Sequence, residues 1–197
     1  PQGLLAITQH EPICAQRAAA EDPNVVARHE PTQASPFAGD DDLDRIADAF
    51  ADVIDAKSPY TFNHSRGVAR YAVAVGTKLG LDDGEIRVLR RTAMLHDIGK
   101  LGVSNSILDK PGKLDAREWD AVKQHPFYTW EILRRTPCFQ GFAEMAASHH
   151  EKLDGSGYFR GLDSEHISLP ARILVVADIY DALHANRPYR EGLPNET

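Results

Sequence analysis

Beyond residue 42, apolar residues recur at helical spacing along most of the chain. Leu43, Ile46, Ala47, Phe50, Val53 and Ile54 fall on one helical face. Val68, Ala69, Ala72, Val75 and Leu79 form a second stripe, which Gly80 stops. The run "LDDGEIRVLRRTAMLHDIGK", residues 81–100, reads as a third helix whose apolar residues thicken toward Met94 and Leu95, so its end is expected to be buried. Asp115 and Glu118 have the spacing of a capping box, opening a helix through Trp119 and Val122 that Pro126 must break or kink. Another helix is expected from Phe142 to His150. Pro170 stands in the first turn of a last one, carrying Ile173, Val176, Ala177, Tyr180 and Leu183. Nothing alternates with period two for long, and no internal repeat is visible, so the expected class is all-α. Residues 1–42, rich in Ala, Pro, Glu and Gln, show no sustained period and read as a linker or the remnant of an upstream domain, with "AQRAAAED" as a short helix. The globular domain is expected over 43–197.

Composition narrows the picture. With 197 residues, 42% of them hydrophobic and 26% charged, the chain can bury one proper core. A formal charge of −7 argues against a surface for nucleic-acid polymers, which are bound by neutralising phosphates with Lys and Arg. It leaves room for a small anionic ligand in a locally basic pocket. Cys14 and Cys138 make neither a disulfide framework nor a thiolate metal site, in keeping with a reducing cytoplasm. No apolar run is long enough to span a bilayer, and "GLLAI" is too short for a signal-peptide core. The opening Pro1 suggests a piece of something longer.

The chemistry lies in the histidines. His10, His29, His166 and His184 sit in the tail, in loops or near the end, where a solvated imidazole is the plain reading. His64, His96, His125, His149 and His150 each lie on or beside a predicted helix with an apolar face, accompanied by Asp97 and Asp178. One such histidine is ordinarily a hydrogen-bonded core residue; five with two carboxylates point to metal. Imidazole and carboxylate without cysteine suit Fe, Mn, Zn, Co or Ni. One ion seldom takes seven protein ligands, whereas two ions sharing a carboxylate would use them all. In "HDIGK", His96 and Asp97 point about a quarter-turn apart, so both reach one site only at a helix end or between two ions. Taken alone, Gly99 and Lys100 there are ordinary helix stop signals. Trp119 and Trp130 are expected in the core, Arg87, Arg90 and Arg91 on a solvated face, and Arg134 and Arg135 at a helix end.

In order along the chain, "NHSRGVA", "HDIGK", "KQHP", "SHHEKLDGSGY" and "ADIYDAL" resemble the HD-GYP phosphodiesterases, a branch of the HD-domain metal-dependent phosphohydrolases, over about residues 52–193. The resemblance implies an HD-domain-like helical bundle with a metal centre in its core. It implies His64, His96, Asp97, His125, His149, His150 and Asp178 as ligands of two divalent ions, Fe or Mn foremost, with Asp97 bridging them. Lys100 would lie by the scissile phosphate, Arg187 and Arg190 of "RPYR" would meet the other phosphate, and Tyr158 would approach a guanine or a phosphate. Asp97 and Lys100 are the implied catalytic pair; read from the residues themselves, Glu151 and Asp181 would orient ligating imidazoles or close a helix-helix hydrogen bond. The implied activity opens cyclic di-GMP to linear pGpG with a metal-activated water. Two departures stand out. The signature ending Gly-Tyr-Pro here reads Gly157-Tyr158-Phe159, which predicts altered loop order rather than a dead centre. Members with three metals carry a glutamate where this chain has Tyr60, so two ions are expected. An HD-type hydrolase of another nucleotide, and a weakly active nucleotide-sensing module, are the competing readings. The resemblance also leaves room for fused sensor or output domains, a homodimer, and a fold that continues past Thr197.

Overall fold

The computed structural model describes residues 39–58, 63–184 and 192. Its helices are α1 (Asp40–Asp55), α2 (His64–Lys78), α3 (Asp83–Leu95), α4 (Asn105–Leu108), α5 (Ala116–Val122), α6 (His125–Arg134), α7 (Ala143–Ala147) and α8 (Leu169–His184), with 3-10 turns at Ile98–Gly102, Gln140–Phe142 and Ser148–His150. Among the described residues there is no strand, only an isolated bridge between Asp154 and Asp163. The class is all-α, as the periodicity predicts. No helix of the described residues is long and apolar enough to cross a membrane.

The capping box at Asp115 and Glu118 forms, and the expected break occurs ahead of Pro126: α5 ends at Val122 and a new helix, α6, opens at His125 with Pro126 in its first turn. An equivalent box at Asp82 and Glu85 starts α3. The third predicted helix is shorter than its apolar pattern: it ends at Leu95, and His96 and Asp97 lead into a 3-10 turn. Likewise the stretch from Phe142 to His150 divides into α7 and a 3-10 turn.

α2 packs against both α3 and α8, while α6 lies on the 3-10 turn after Asp97 and on α7. The core joins Ile54, Val68, Ala72, Leu89, Leu95 and Leu174 with smaller residues between them. Three predicted stripes are only partly buried: on α2, Val68, Ala69 and Ala72 are covered, but Val75 and Leu79 are exposed. On α1, Ala47, Ala51 and Ile54 are covered, but Ile46, Phe50 and Val53 are exposed; on α8, Ile173, Leu174 and Ala177 are covered, but Val176, Tyr180 and Leu183 are exposed. The arginine run also differs from expectation. Arg91 is buried, bonding Asp44 Oδ1 at 2.6 Å and Asp40 Oδ1 at 2.9 Å, and Arg90 pairs with Asp48 at 2.7 Å. The run on α3 is therefore a charged seam against α1, in which acidic residues four apart on α1 offer the partners.

Candidate metal centre

Most of the predicted ligands sit where helices begin or end. His64 is the first residue of α2, His96 caps α3, His125 opens α6, and His149 and His150 lie in the 3-10 turn after α7. Asp178 alone comes from within a long helix, α8. Helix ends leave backbone carbonyls without intrahelical partners, and three of the rings use carbonyls a turn behind them. The Nδ1 of His96 donates to the Ala93 carbonyl at 2.7 Å, that of His125 to Val122 at 2.6 Å, and that of His149 to Ala146 at 2.7 Å. His64 Nδ1 lies 2.7 Å from the Asp181 carboxylate. A carbonyl can only accept, so these bonds place the Nδ1 proton and turn an Nε2 lone pair inward.

Asp97 stands where those lone pairs converge. Its Oδ2 faces His96 Nε2 at 3.5 Å and His64 Nε2 at 3.7 Å, while its Oδ1 faces His125 Nε2 at 3.4 Å and His149 Nε2 at 3.6 Å. Asp178 Oδ1 lies 3.2 Å from His64 Nε2 and 3.9 Å from His96 Nε2, on the Oδ2 side. His150 completes a group with His125 and His149 on the other side. All seven predicted ligands are thus brought together, with one carboxylate between two sets.

The donors fit cations. His96 Nε2 and Asp97 Oδ1 are buried without a hydrogen-bond partner, a costly state for polar atoms unless something charged satisfies them. His125 Nε2 and His149 Nε2 approach to 3.0 Å although both rings spend their Nδ1 protons on carbonyls, so two lone pairs face one another. A shared positive charge relieves that arrangement.

The electrostatics follow from burial and neighbours. Burial pushes His96 down to about 4 and His125 down to about 3, and it lowers His150 as well, so these rings stay neutral and ready to ligate. Burial opposes the charged form of His64 too, but bonds to Asp178 and Asp181 outweigh it and carry that ring up to about 9. Burial opposes ionisation of Asp97, yet Lys100 and the surrounding imidazoles hold its carboxyl well below the usual range. Asp178 is likewise held low against its burial, chiefly by His64.

Lys100 is 2.5 Å from Asp97 Oδ2 and lines the cavity of about 470 Å³ over the cluster. Tyr158 lines it as well, stacked on His150 with centroids 4.7 Å apart. Burial raises the phenol of Tyr158, which therefore stays protonated. Arg187, Arg190 and Tyr60 lie outside the described residues.

Several supporting residues were not read correctly from sequence. Trp119, expected in the core, is 47% exposed and lines the cavity. Glu151 orients no imidazole: buried, it accepts the backbone N–H of Arg160 at 2.7 Å, Leu162 at 3.0 Å and Gly161 at 3.2 Å, organising the loop that carries Tyr158. Gly157 in that loop packs so closely on Glu151 and the His150 carbonyl that a Cβ would collide with both. Thr129 carries no local sequence signal of its role. Its hydroxyl donates to the His96 carbonyl at 2.9 Å and accepts from Gly99 N–H at 3.0 Å, pinning α6 to the "HDIGK" turn. Gly99 is needed for that approach, since a Cβ there would meet the His125 carbonyl and Thr129. In the sequence Gly99 reads as a helix stop signal, and the Thr129 it packs on is thirty residues away.

The HD domain family model matches residues 48–196. Among curated proteins, the 3'3'-cGAMP-specific phosphodiesterase 3 of Vibrio cholerae is 53% identical over 164 residues, covering 83% of this chain and 36% of the relative. The cyclic di-GMP phosphodiesterase response regulator RpfG of Xanthomonas campestris is 43% identical over 127 residues, covering 64% of this chain and 34% of its own length. The chain therefore spans about a third of the length of these relatives. Among solved structures, a cyclic GMP-AMP specific phosphodiesterase of V. cholerae aligns with TM-score 0.51 and 44% identity, over 90% of this chain and 41% of that one. An HDG"Y"P protein from Bdellovibrio bacteriovorus aligns with TM-score 0.58 over 74% of this chain and 53% of that one; at 19% identity it speaks for the fold. With a family model matching most of its length and a histidine-aspartate cluster at its helix ends, this chain belongs to the HD domain family.

Proposed function

We propose that this chain is the catalytic domain of a metal-dependent phosphodiesterase that opens a cyclic dinucleotide to its linear form. The observation that carries the reading is the position of Asp97, one carboxylate with each oxygen turned to a different set of imidazoles. His64, His96 and Asp178 would hold one divalent ion, His125, His149 and His150 a second, and Asp97 both; Fe and Mn accept this donor mixture. Bound there, two such ions would supply positive charge for the phosphoryl oxygens and lower the pKa of a bound water.

The chain's own residues do the rest. Asp97, kept ionised, cannot donate a proton and acts as ligand and acceptor. Lys100 brings a cationic side chain against Asp97, placed to offset charge developing on the phosphate oxygens. Carbonyl-anchored imidazoles need little reorganisation to meet their ions. The aromatic and aliphatic wall of Trp119, Val122, Ile179 and Leu183 gives the nucleoside a partly dry surface.

Cyclic di-GMP, cut to pGpG, is the substrate favoured by the motif resemblance. A second reading, 3'3'-cGAMP, is supported by the 53% identity to a V. cholerae enzyme of that named specificity. Incubating each dinucleotide with protein loaded anaerobically with Fe(II) or Mn(II), and resolving products by liquid chromatography beside an Asp97→Ala control, separates them. A linear dinucleotide formed only by the parent is expected. No product from protein carrying both ions would refute the assignment and favour another nucleotide or a sensing role.

A further inference from the structure

The space around Tyr158 does not stop at the metal centre. The same ring lines a second cavity, of about 550 Å³, whose other walls are Asp120, Lys123, Gln124, Phe127 and Phe159. Volumes of this order accept a nucleobase. Its composition differs from that of the first cavity: it holds none of the clustered imidazoles, and combines aromatic rings with a carboxylate, an ammonium and an amide.

The aromatic side is built firmly. Phe127 and Phe159 have centroids 6.4 Å apart, and Phe159 lies 6.2 Å from Trp130. The Arg160 guanidinium sits 5.0 Å from both the Phe159 and Trp130 rings and is itself fixed 2.9 Å from Glu144. Phe159 adopts φ 100°, a conformation L residues rarely hold. Proline, fixed near −65°, cannot adopt it. The residue that departs from the Gly-Tyr-Pro signature therefore contributes an aromatic wall through a backbone turn that proline forbids.

The same cavity is lined by Asp120, which pairs with Lys123 at 2.8 Å three residues on, and by Gln124. An ionised carboxylate only accepts hydrogen bonds. Guanine presents two adjacent donors, N1–H and the N2 amino group, on its Watson–Crick edge. Adenine presents an acceptor at N1, which a carboxylate would repel. Bases splayed from a nucleotide are characteristically stacked on aromatic rings and read along these edges.

We infer that the Phe127–Phe159 cavity is a guanine-binding subsite for the cyclic dinucleotide, entered past Tyr158, with Asp120 reading the base edge. The inference rests on the phosphodiesterase reading above and goes beyond it by assigning a base preference to residues outside the metal cluster. Guanine is common to both substrates considered there, so the subsite accounts for either.

The test uses metal-loaded protein and bis(p-nitrophenyl) phosphate, a diester without a base, as reporter substrate. Cyclic di-GMP and cyclic di-AMP are each titrated as inhibitors of its hydrolysis, and dinucleotide cleavage is followed by chromatography in parallel. Phe159→Ala should raise the inhibition constants of both dinucleotides by about ten-fold or more, the scale of one lost base stack. Asp120→Ala, at a side chain 70% exposed and outside the helix cap, should weaken cyclic di-GMP more than cyclic di-AMP even if Phe159→Ala does not fold. Unchanged inhibition constants and an unchanged ratio between the dinucleotides, in variants of a parent that cleaves them, would overturn the subsite alone. A parent that hydrolyses the reporter but neither cleaves nor binds a dinucleotide would overturn the functional reading, and the subsite with it.

Discussion

The imidazole cluster and the loop that follows it are built by opposite strategies. In the cluster, each of four rings is fixed from behind by its own Nδ1 bond, so precision is distributed over several helix ends. In the loop from Glu151 to Leu162, one buried carboxylate collects three backbone N–H groups, so order is concentrated in a single side chain. Distributed anchoring suits a site that must stay fixed. Concentrated anchoring suits a wall whose shape can change by replacing one neighbouring residue, as Phe159 has done.

The contrast can be broken most severely at Asp97. Asp97→Ala removes the carboxylate that faces both sets and should abolish turnover, read as loss of dinucleotide cleavage. The next largest effect is expected from Glu151→Ala. It strips three loop N–H groups of their acceptor, each at a cost of about 1–3 kcal/mol where water cannot replace it. Limited proteolysis should then cut between residues 152 and 168, while the metal content stays at the parental level; a loss of metal would show that loop and centre are not separate. Phe159→Pro should also leave metal content unchanged, but must rebuild the turn, visible as altered Trp130 fluorescence. An identical spectrum would contradict the close packing of Phe159 on Trp130.

The smallest effect is a pH signature of the cluster. His64, raised to about 9, stabilises the metal-free fold fully below its unfolded value of about 6.5 and loses that contribution as pH rises through 9. His96 and His125, held down to about 4 and 3, act the other way: the unfolded chain takes up their protons first as pH falls below about 6.5, so stability declines toward acid. The melting temperature of chelated protein should therefore be highest near neutrality. Metal should flatten the alkaline limb, since it replaces the His64 proton. A chelated protein whose melting temperature rises steadily from pH 7 to 9 would contradict the pairing of His64 with Asp178 and Asp181.

How far the sequence reveals this molecule depends on whether a residue's partner is local. Helix periods, the Asp115 capping box and the chemistry of five histidines beside two aspartates are local properties, and all of them are legible. The Asp82–Glu85 box carries the same spacing signal and was equally readable. Burial of Arg91 depends on acidic residues of α1 some fifty positions earlier, and the clamp by Glu151 depends on a loop folding back on it. Side-chain type alone could not distinguish these from a solvated arginine or an imidazole partner. Trp119 shows the converse: a large aromatic residue predicts burial, yet here it faces the cavity that a ligand would fill.

The central claim is that one carboxylate joins two metal sites, and metal stoichiometry tests it most directly. Parent and Asp97→Ala proteins, loaded anaerobically with Mn(II) and freed of excess, would be compared for bound metal per chain by elemental analysis, with circular dichroism confirming that both are folded. The account predicts close to two ions in the parent and a loss at both sites in the variant. Two ions retained by folded Asp97→Ala would contradict it.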